Sequence, residues 1–190
     1  DGTTTITAGA NNVTLAQSTN DFVGAVSVVS ANNVSLADAN ALTLGASTVA
    51  NNFTATAGGG TVVAGDITAG GIGEINITSN TLGLSQTGVT VRTGVTIQTT
   101  DGDLNITGMG GSSAGGYNFG IYNFGTITSG GAGRVFVNGI GGGGGVGSSN
   151  NWGIANVGTI ASGIDGHVIV DGAGGFGDGD SNVGIFNIGM

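Results

Sequence analysis

The sequence contains no cysteine and no proline, and it carries only two basic and 11 acidic side chains in 190 residues. Without thiols there is neither a disulfide scaffold nor a thiolate metal site. Arg92 and Arg134 are the only basic residues counted in the net charge of −9, so the chain has no cationic cluster with which to grip nucleic acid or an anionic membrane surface. No apolar run approaches the ~20 residues of a membrane-spanning helix. Helix signals are equally scarce. Glu74 is the sole glutamate, lysine is absent, and no ten-residue window combines apolar spacing of three and four with freedom from glycine. What the chain has instead is 43 glycines and a 38% hydrophobic content. That hydrophobic share argues against disorder, and glycine does not recur every third residue as collagen requires.

Glycine is unevenly distributed, with 14 in the first hundred residues and 29 in the last ninety. The first half is rich in Thr, Asn, Val and Ala and contains short alternating stretches: Thr4 to Thr7, Val13 to Leu15, Val34 to Leu36 and Ala41 to Leu44. Alternation with β-branched residues places one side chain inward and the next outward, which predicts strands.

Internal repetition is the strongest signal. An eight-residue phrase starts at Asn118, Asn151 and Asn182, at steps of 33 and 31, and reads Asn-x-Gly-Ile-x-Asn-x-Gly each time. A second phrase keeps the same beat from Gly102, Gly133 and Gly166. In the first half, Asn12-Val13-Thr14-Leu15 returns from Asn33 and again, more loosely, from Asn52, at steps of 21 and 19. A step of about 20 residues suits one turn of a parallel β-solenoid with three short strands and three corners. The longer step then reads as the same turn with a loop of roughly ten residues.

The expected fold is therefore all-β: a parallel β-helix of about eight rungs and ~40 Å length at the spacing of neighbouring strands. It is divided into short-step rungs over residues 1–100 and long-step rungs with Gly-rich loops over 101–190, in one continuous solenoid. Stacking each side chain on its equivalent explains the missing charge, because like charges would lie over one another while Asn, Ser and Thr bond along the stack. The predicted core stacks are Leu104, Val135 and Val168; Ile106, Val137 and Val170; Phe119, Trp152 and Val183; and Ile121, Ile154 and Ile185. Asn123, Asn156 and Asn187 form a predicted corner ladder, assigned to asparagine's tolerance of left-handed backbone. Gly125, Gly158 and Gly189 are expected to supply the next bend.

The turns Asn11-Asn12-Val13-Thr14-Leu15 and Gly102-Asp103-Leu104-Asn105-Ile106-Thr107-Gly108, at steps near 20, resemble the passenger regions of filamentous-haemagglutinin-like exoproteins and related autotransporter adhesins. The resemblance covers nearly the whole chain and lies in texture and period. It implies a right-handed parallel β-helix, export across a bacterial outer membrane to the cell surface or beyond, and a role as adhesin or surface filament. The expected partners are copies of the chain, further rungs of a longer one, or a surface receptor or glycan. Neither nucleic acid nor membrane insertion is expected. Asp1 is preceded by no start methionine or leader, so the segment is expected to be processed or part of a longer chain.

Candidate chemistry is sparse. A lyase-like β-helix enzyme would need a convergent acid, base and cleft. Asp101 and Asp103 form only a local pair, and no catalytic residue is assigned. His167 shares its repeat position with Arg134 and Asp103 and is read as solvent-facing. The loop Gly174 to Asp180 resembles a calcium-binding nonapeptide, and Asp178 and Asp180 would be its ligands. The aspartate is out of register and the loop supplies too few oxygens, so no metal or cofactor is expected. Five Asn-x-Ser/Thr sequons, at Asn12, Asn33, Asn52, Asn76 and Asn105, are read as corner residues rather than glycosylation sites. Tyr117, Tyr122 and Trp152 would serve a carbohydrate-binding alternative. Finally, if Val135 and Val137 point inward, Phe136 points out with Ile169 in the equivalent position. That apolar row is covered either by the Gly-rich loops or by another copy in self-association.

Overall fold

The computed structural model describes residues 2–80, 87–113 and 115–190, and every regular element among them is a strand. The first turns supply β1 (Thr4–Thr7), β2 (Val13–Leu15), β3 (Val26–Ala31), β4 (Val34–Asp38), β5 (Leu42–Val49) and β6 (Phe53–Ala57). Each following turn then has three strands: β7 (Thr61–Val63), β8 (Ile67–Ala69) and β9 (Ile75–Asn80); β10 (Val89–Val91), β11 (Thr96–Thr99) and β12 (Leu104–Met109). These are succeeded by β13 (Ile121–Asn123), β14 (Thr126–Ser129) and β15 (Val135–Ile140), by β16 (Ile154–Asn156), β17 (Thr159–Ser162) and β18 (Val168–Ala173), and by β19 (Ile185–Asn187).

The strands pair in parallel with their equivalents one turn away, which makes the molecule a parallel β-helix. One face is a seven-stranded sheet in the order β18-β15-β12-β9-β6-β4-β2. The other two faces share a 12-stranded sheet because β5 bends across a corner. Its Leu42–Leu44 half pairs with β7 and its Ser47–Val49 half with β8. Later turns break at that corner, leaving β7, β10, β13, β16 and β19 on the second face and β8, β11, β14 and β17 on the third.

Alternation fills the interior. Phe53, Ile75, Leu104 and Val135 form one fully buried column, and Ala55, Ile77, Ile106 and Val137 the next. The columns predicted from Leu104, Ile106 and Ile121 are in register through Val168, Val170 and Ile185, but Val168 and Ile185 on the last turn are exposed, so the buried core ends at Val135, Val137 and Ile154. The Phe119, Trp152 and Val183 column is corrected. Phe119 is buried as expected, against Trp152 at 5.3 Å and Tyr122 at 4.9 Å, but Trp152 is half-buried and Val183 exposed, and the side chain of Asn118 beside it is fully buried as well.

Side-chain bonds between turns record the step directly: 21 residues from Asn12 to Asn33, 19 from Asn33 to Asn52 and 22 from Asn52 to Glu74. The step is 29 from Asn76 to Asn105, so lengthening begins within the segment expected to hold only short rungs. It then runs at 31 from Asp103 to Arg134 and 33 from Asn118 to Asn151. In the last turns the additional residues emerge at one corner, between the first and second faces, in loops whose described residues are 110–113 with 115–120, 141–153 and 174–184. The loop bases are pinched. A Cβ on Gly108, Gly139 or Gly172 would stand only 2.2, 2.2 or 2.3 Å from the carbonyl oxygen of Gly120, Gly153 or Gly184. The crossing therefore requires glycine at the inner position of each strand.

Candidate functional site

The predicted Asn ladder is present. Asn123 Nδ2 donates to Asn156 Oδ1 at 2.7 Å and Asn156 Nδ2 donates to Asn187 Oδ1 at 2.7 Å. Its cause differs from the expected one. Among the described residues the non-glycine positions with positive φ are Tyr117, Asn150, Asp165 and Ser181, so these asparagines are selected by their side-chain amides, which both donate and accept along the axis. Gly125, Gly158 and Gly189 also act without positive φ. A Cβ on Gly158 would lie 2.0 Å from Gly125 O, and one on Gly189 would lie 1.9 Å from Gly158 O, so close approach between turns excludes a side chain.

A second ladder at the loop bases was not predicted. Asn118 Nδ2 donates to Asn151 Oδ1 at 2.9 Å, and the Asn151 backbone N–H donates to Asn182 Oδ1 at 3.1 Å. These asparagines open the same eight-residue phrase that supplies the first ladder, so their recurrence in the sequence marks them. The loops themselves stack: Gly142 N–H donates to Asn118 O, Phe176 N–H to Gly142 O, and Tyr117 N–H to Ser149 O. The loop containing Asp178 and Asp180 is thus hydrogen-bonded into this stack. Asp178 Oδ1 accepts from the Gly147 N–H, and the Asp180 backbone oxygen accepts from Asn150. Among the described residues no group of three or more His, Cys, Asp or Glu side chains gathers in a metal-binding arrangement.

Asn12, Asn33 and Asn52 occupy the corner as expected, with Asn33 Nδ2 donating to Asn12 Oδ1 and the Asn52 N–H to Asn33 Oδ1. Asn76 and Asn105 instead lie within strands β9 and β12 on the outer side, joined by a 2.9 Å amide bond, which corrects their corner assignment. Further along the corner column stand Asp103, Arg134 and the exposed His167. Arg134 donates to Asp103 Oδ2 through Nε at 3.2 Å and Nη2 at 2.8 Å, and its backbone N–H donates to Oδ1. The guanidinium hydrogen bond, reinforced by that backbone N–H, holds the Asp103 carboxyl below its ordinary pKa. The same cation lies 5.1 Å from the Phe136 ring centroid.

The Phe136 and Ile169 row is in register. Ile169 remains 46% exposed, so the glycine loops, which rise at another corner, leave it open. The second face carries an aromatic stack, with Ala155 fully buried in the middle of its row. Tyr122, Ala155 and Phe186 form one outward row, and Phe124, Val157 and Ile188 follow it at the adjoining corner. Trp152 stacks on Phe186 at 4.4 Å and 28° and approaches Phe119 at 5.3 Å, while Tyr122 lies 4.0 Å from Phe124. Trp152 Nε1 donates to Ser181 O at 2.6 Å. Of the three proposed sugar-contacting aromatics, Tyr122 and Trp152 are half-buried within this ring stack, and Tyr117 is exposed at the loop.

These features define a parallel β-solenoid whose sites are side-chain ladders and an outward aromatic face, with loops stacked at one corner. Residues 1–29 and 31–98 match the family described as Repeats of unknown function (DUF5649). The match spans just over half of the chain, and the chain belongs to that family. No curated protein and no solved structure matches it.

Proposed function

We propose that the chain is a structural, non-enzymatic length of a secreted bacterial adhesin or cell-surface filament. The observation that carries this reading is the continuity of hydrogen-bonded ladders from turn to turn. The amides of Asn123 and Asn156 and those of Asn118 and Asn151 are engaged in binding adjacent rungs. Polar side chains spent in this way stiffen a rod and leave few groups to converge on a substrate. The extracellular, bacterial setting rests on the resemblance to filamentous-haemagglutinin-like passengers. A rod of this kind projects outward and joins further rungs or further copies, while loops or distal regions contact a receptor or glycan on another surface.

A direct test incubates the purified chain with uronate polymers and a panel of neutral glycans. The expected outcome is no unsaturated product and no turnover. Accumulation of unsaturated uronate would replace this reading with a lyase.

A further inference from the structure

We infer that the row of Tyr117, Asn150 and Ser181 at the loop bases is a binding site for a neutral glycan. This rests on the proposed surface role and names one contact that such a rod makes. Each of the three residues directly precedes the eight-residue phrase of its own turn, so they are equivalents. The Tyr117 N–H donates to Ser149 O at 3.0 Å and the Asn150 N–H to Asp180 O at 3.2 Å. These bonds stack the three residues one turn apart, at the ~4.8 Å of neighbouring strands.

All three have left-handed backbones, with φ of 57°, 55° and 67°. A side chain at such an angle costs energy that glycine avoids, most of all for a residue as bulky as tyrosine. Glycine is what these loops place at their other left-handed positions, Gly116, Gly143 and Gly147. The position before the phrase keeps a side chain in every turn, and folding makes little use of it. Among the described residues the Tyr117 and Ser181 hydroxyls and the Asp180 carboxylate have no hydrogen-bond partner, and the Asn150 side-chain amide reaches only Ser149 Oγ, at 3.4 Å. Tyr117 is 57% exposed, and its edge contact with Phe119, at 6.1 Å and 77°, leaves a ring face to solvent. Backbone strain retained beneath unengaged side chains belongs to ligand contact rather than to packing.

The groups present select the ligand. An open tyrosine face suits the C–H face of a pyranose ring, while the Asn150 amide, the Ser181 hydroxyl and the exposed Asp180 carboxylate offer donors and acceptors to its hydroxyls. From Tyr117 to Ser181 the row runs two turns, about 10 Å, which accommodates two linked sugar rings. Charge excludes an acidic sugar. Arg92 and Arg134 stand at the other two corners, and the only charged residues of the described loops are Asp178 and Asp180. A uronate or sulfated chain would therefore meet like charge. With one ring and three polar groups the site is weak for a single oligosaccharide, and it strengthens where many rods present the row together.

The test uses the whole 190-residue chain on immobilised hexasaccharides of glucose, mannose, galactose and N-acetylglucosamine, with oligogalacturonate as the acidic comparison. A neutral hexasaccharide should bind without turnover, and oligogalacturonate should not. Tyr117→Gly should weaken binding about tenfold without lowering the unfolding temperature, because glycine relieves the left-handed angle. Tyr117→Phe keeps the ring and should retain binding. Asn150→Gly suits its backbone in the same way and should also weaken binding, which gives a second readout independent of the tyrosine. Binding to none of the neutral sugars, binding untouched by Tyr117→Gly, or tighter binding of oligogalacturonate would overturn the site. So would a fall in unfolding temperature with Tyr117→Gly, which would assign the ring to the fold. A chain that fails these tests yet forms straight rods under the electron microscope leaves the structural reading standing, whereas cleavage of a bound sugar would overturn that reading itself.

Discussion

Asn156 Oδ1 accepts a hydrogen bond from Asn123 Nδ2, and its own Nδ2 donates to Asn187 Oδ1 and to Gly158 O, in a residue 3% exposed. Only the primary amide of asparagine or glutamine offers two donor hydrogens and a separate acceptor oxygen without a charge. Asn156→Asp keeps the acceptor and removes the donor, leaving two oxygens facing a buried carboxylate. It should cost about 1–3 kcal/mol in urea unfolding at neutral pH, with the loss shrinking in acid as the carboxyl regains a proton. Thr61 presents the opposite case. Its hydroxyl is buried without a hydrogen-bond partner among the described residues, in a column shared with Leu42 and Val89. Thr61→Val should therefore stabilise the chain by about 1 kcal/mol, read as a higher urea midpoint with unchanged slope.

At the scale of elements, the glycine pinch separates two kinds of glycine that composition cannot distinguish. Gly139→Ala drives a methyl group against Gly153 O, 2.2 Å from the ideal Cβ position, and should destabilise by about 1–3 kcal/mol. Gly144, with nothing within 4 Å and no positive φ, should accept alanine with little change. Thermal unfolding of the two variants side by side checks this difference. The Asp103 and Arg134 pair links two turns at the exposed corner. Because its folded-state pKa is lowered, Asp103 contributes stability above its unfolded-state value near 3.9 that is lost as pH falls through the lower folded one. Asp103→Asn should cost no more than about 1 kcal/mol at neutral pH and flatten the acid limb of the stability curve.

Strands and turn-to-turn register were legible because Val, Ile and Thr alternate and the phrases repeat. The Leu104, Ile106 and Ile121 columns follow from that alone. The burial of Asn118 was not legible, since a polar side chain beside Phe119 is expected to face solvent and its burial depends on the bonds it makes to Ser113 and Asn151. The aromatic face escaped for a related reason. It is assembled from Tyr122, Trp152 and Phe186 on three turns, and its ring contacts depend on how the loop bases cross. Asn76 and Asn105 share a motif with Asn12 but sit in strands, because a three-residue pattern carries no information about its distance from the corner.

For the whole molecule, the low charge follows from coiling. Every outward position is followed by its own equivalent at about 4.8 Å, and the sequence answers with Thr and Asn in the early turns and aromatic or aliphatic residues in the late ones. The loop of Asp178 and Asp180 is expected from its sequence to supply too few oxygens for calcium, so a chelator should leave the unfolding temperature unchanged; a clear drop would assign that loop a calcium site. Electron cryomicroscopy of the concentrated protein tests the central claim most directly. A structural rod predicts straight particles with an axial repeat near 4.8 Å, joined to one another as concentration rises. Compact particles with no axial repeat and no association at any concentration would contradict it.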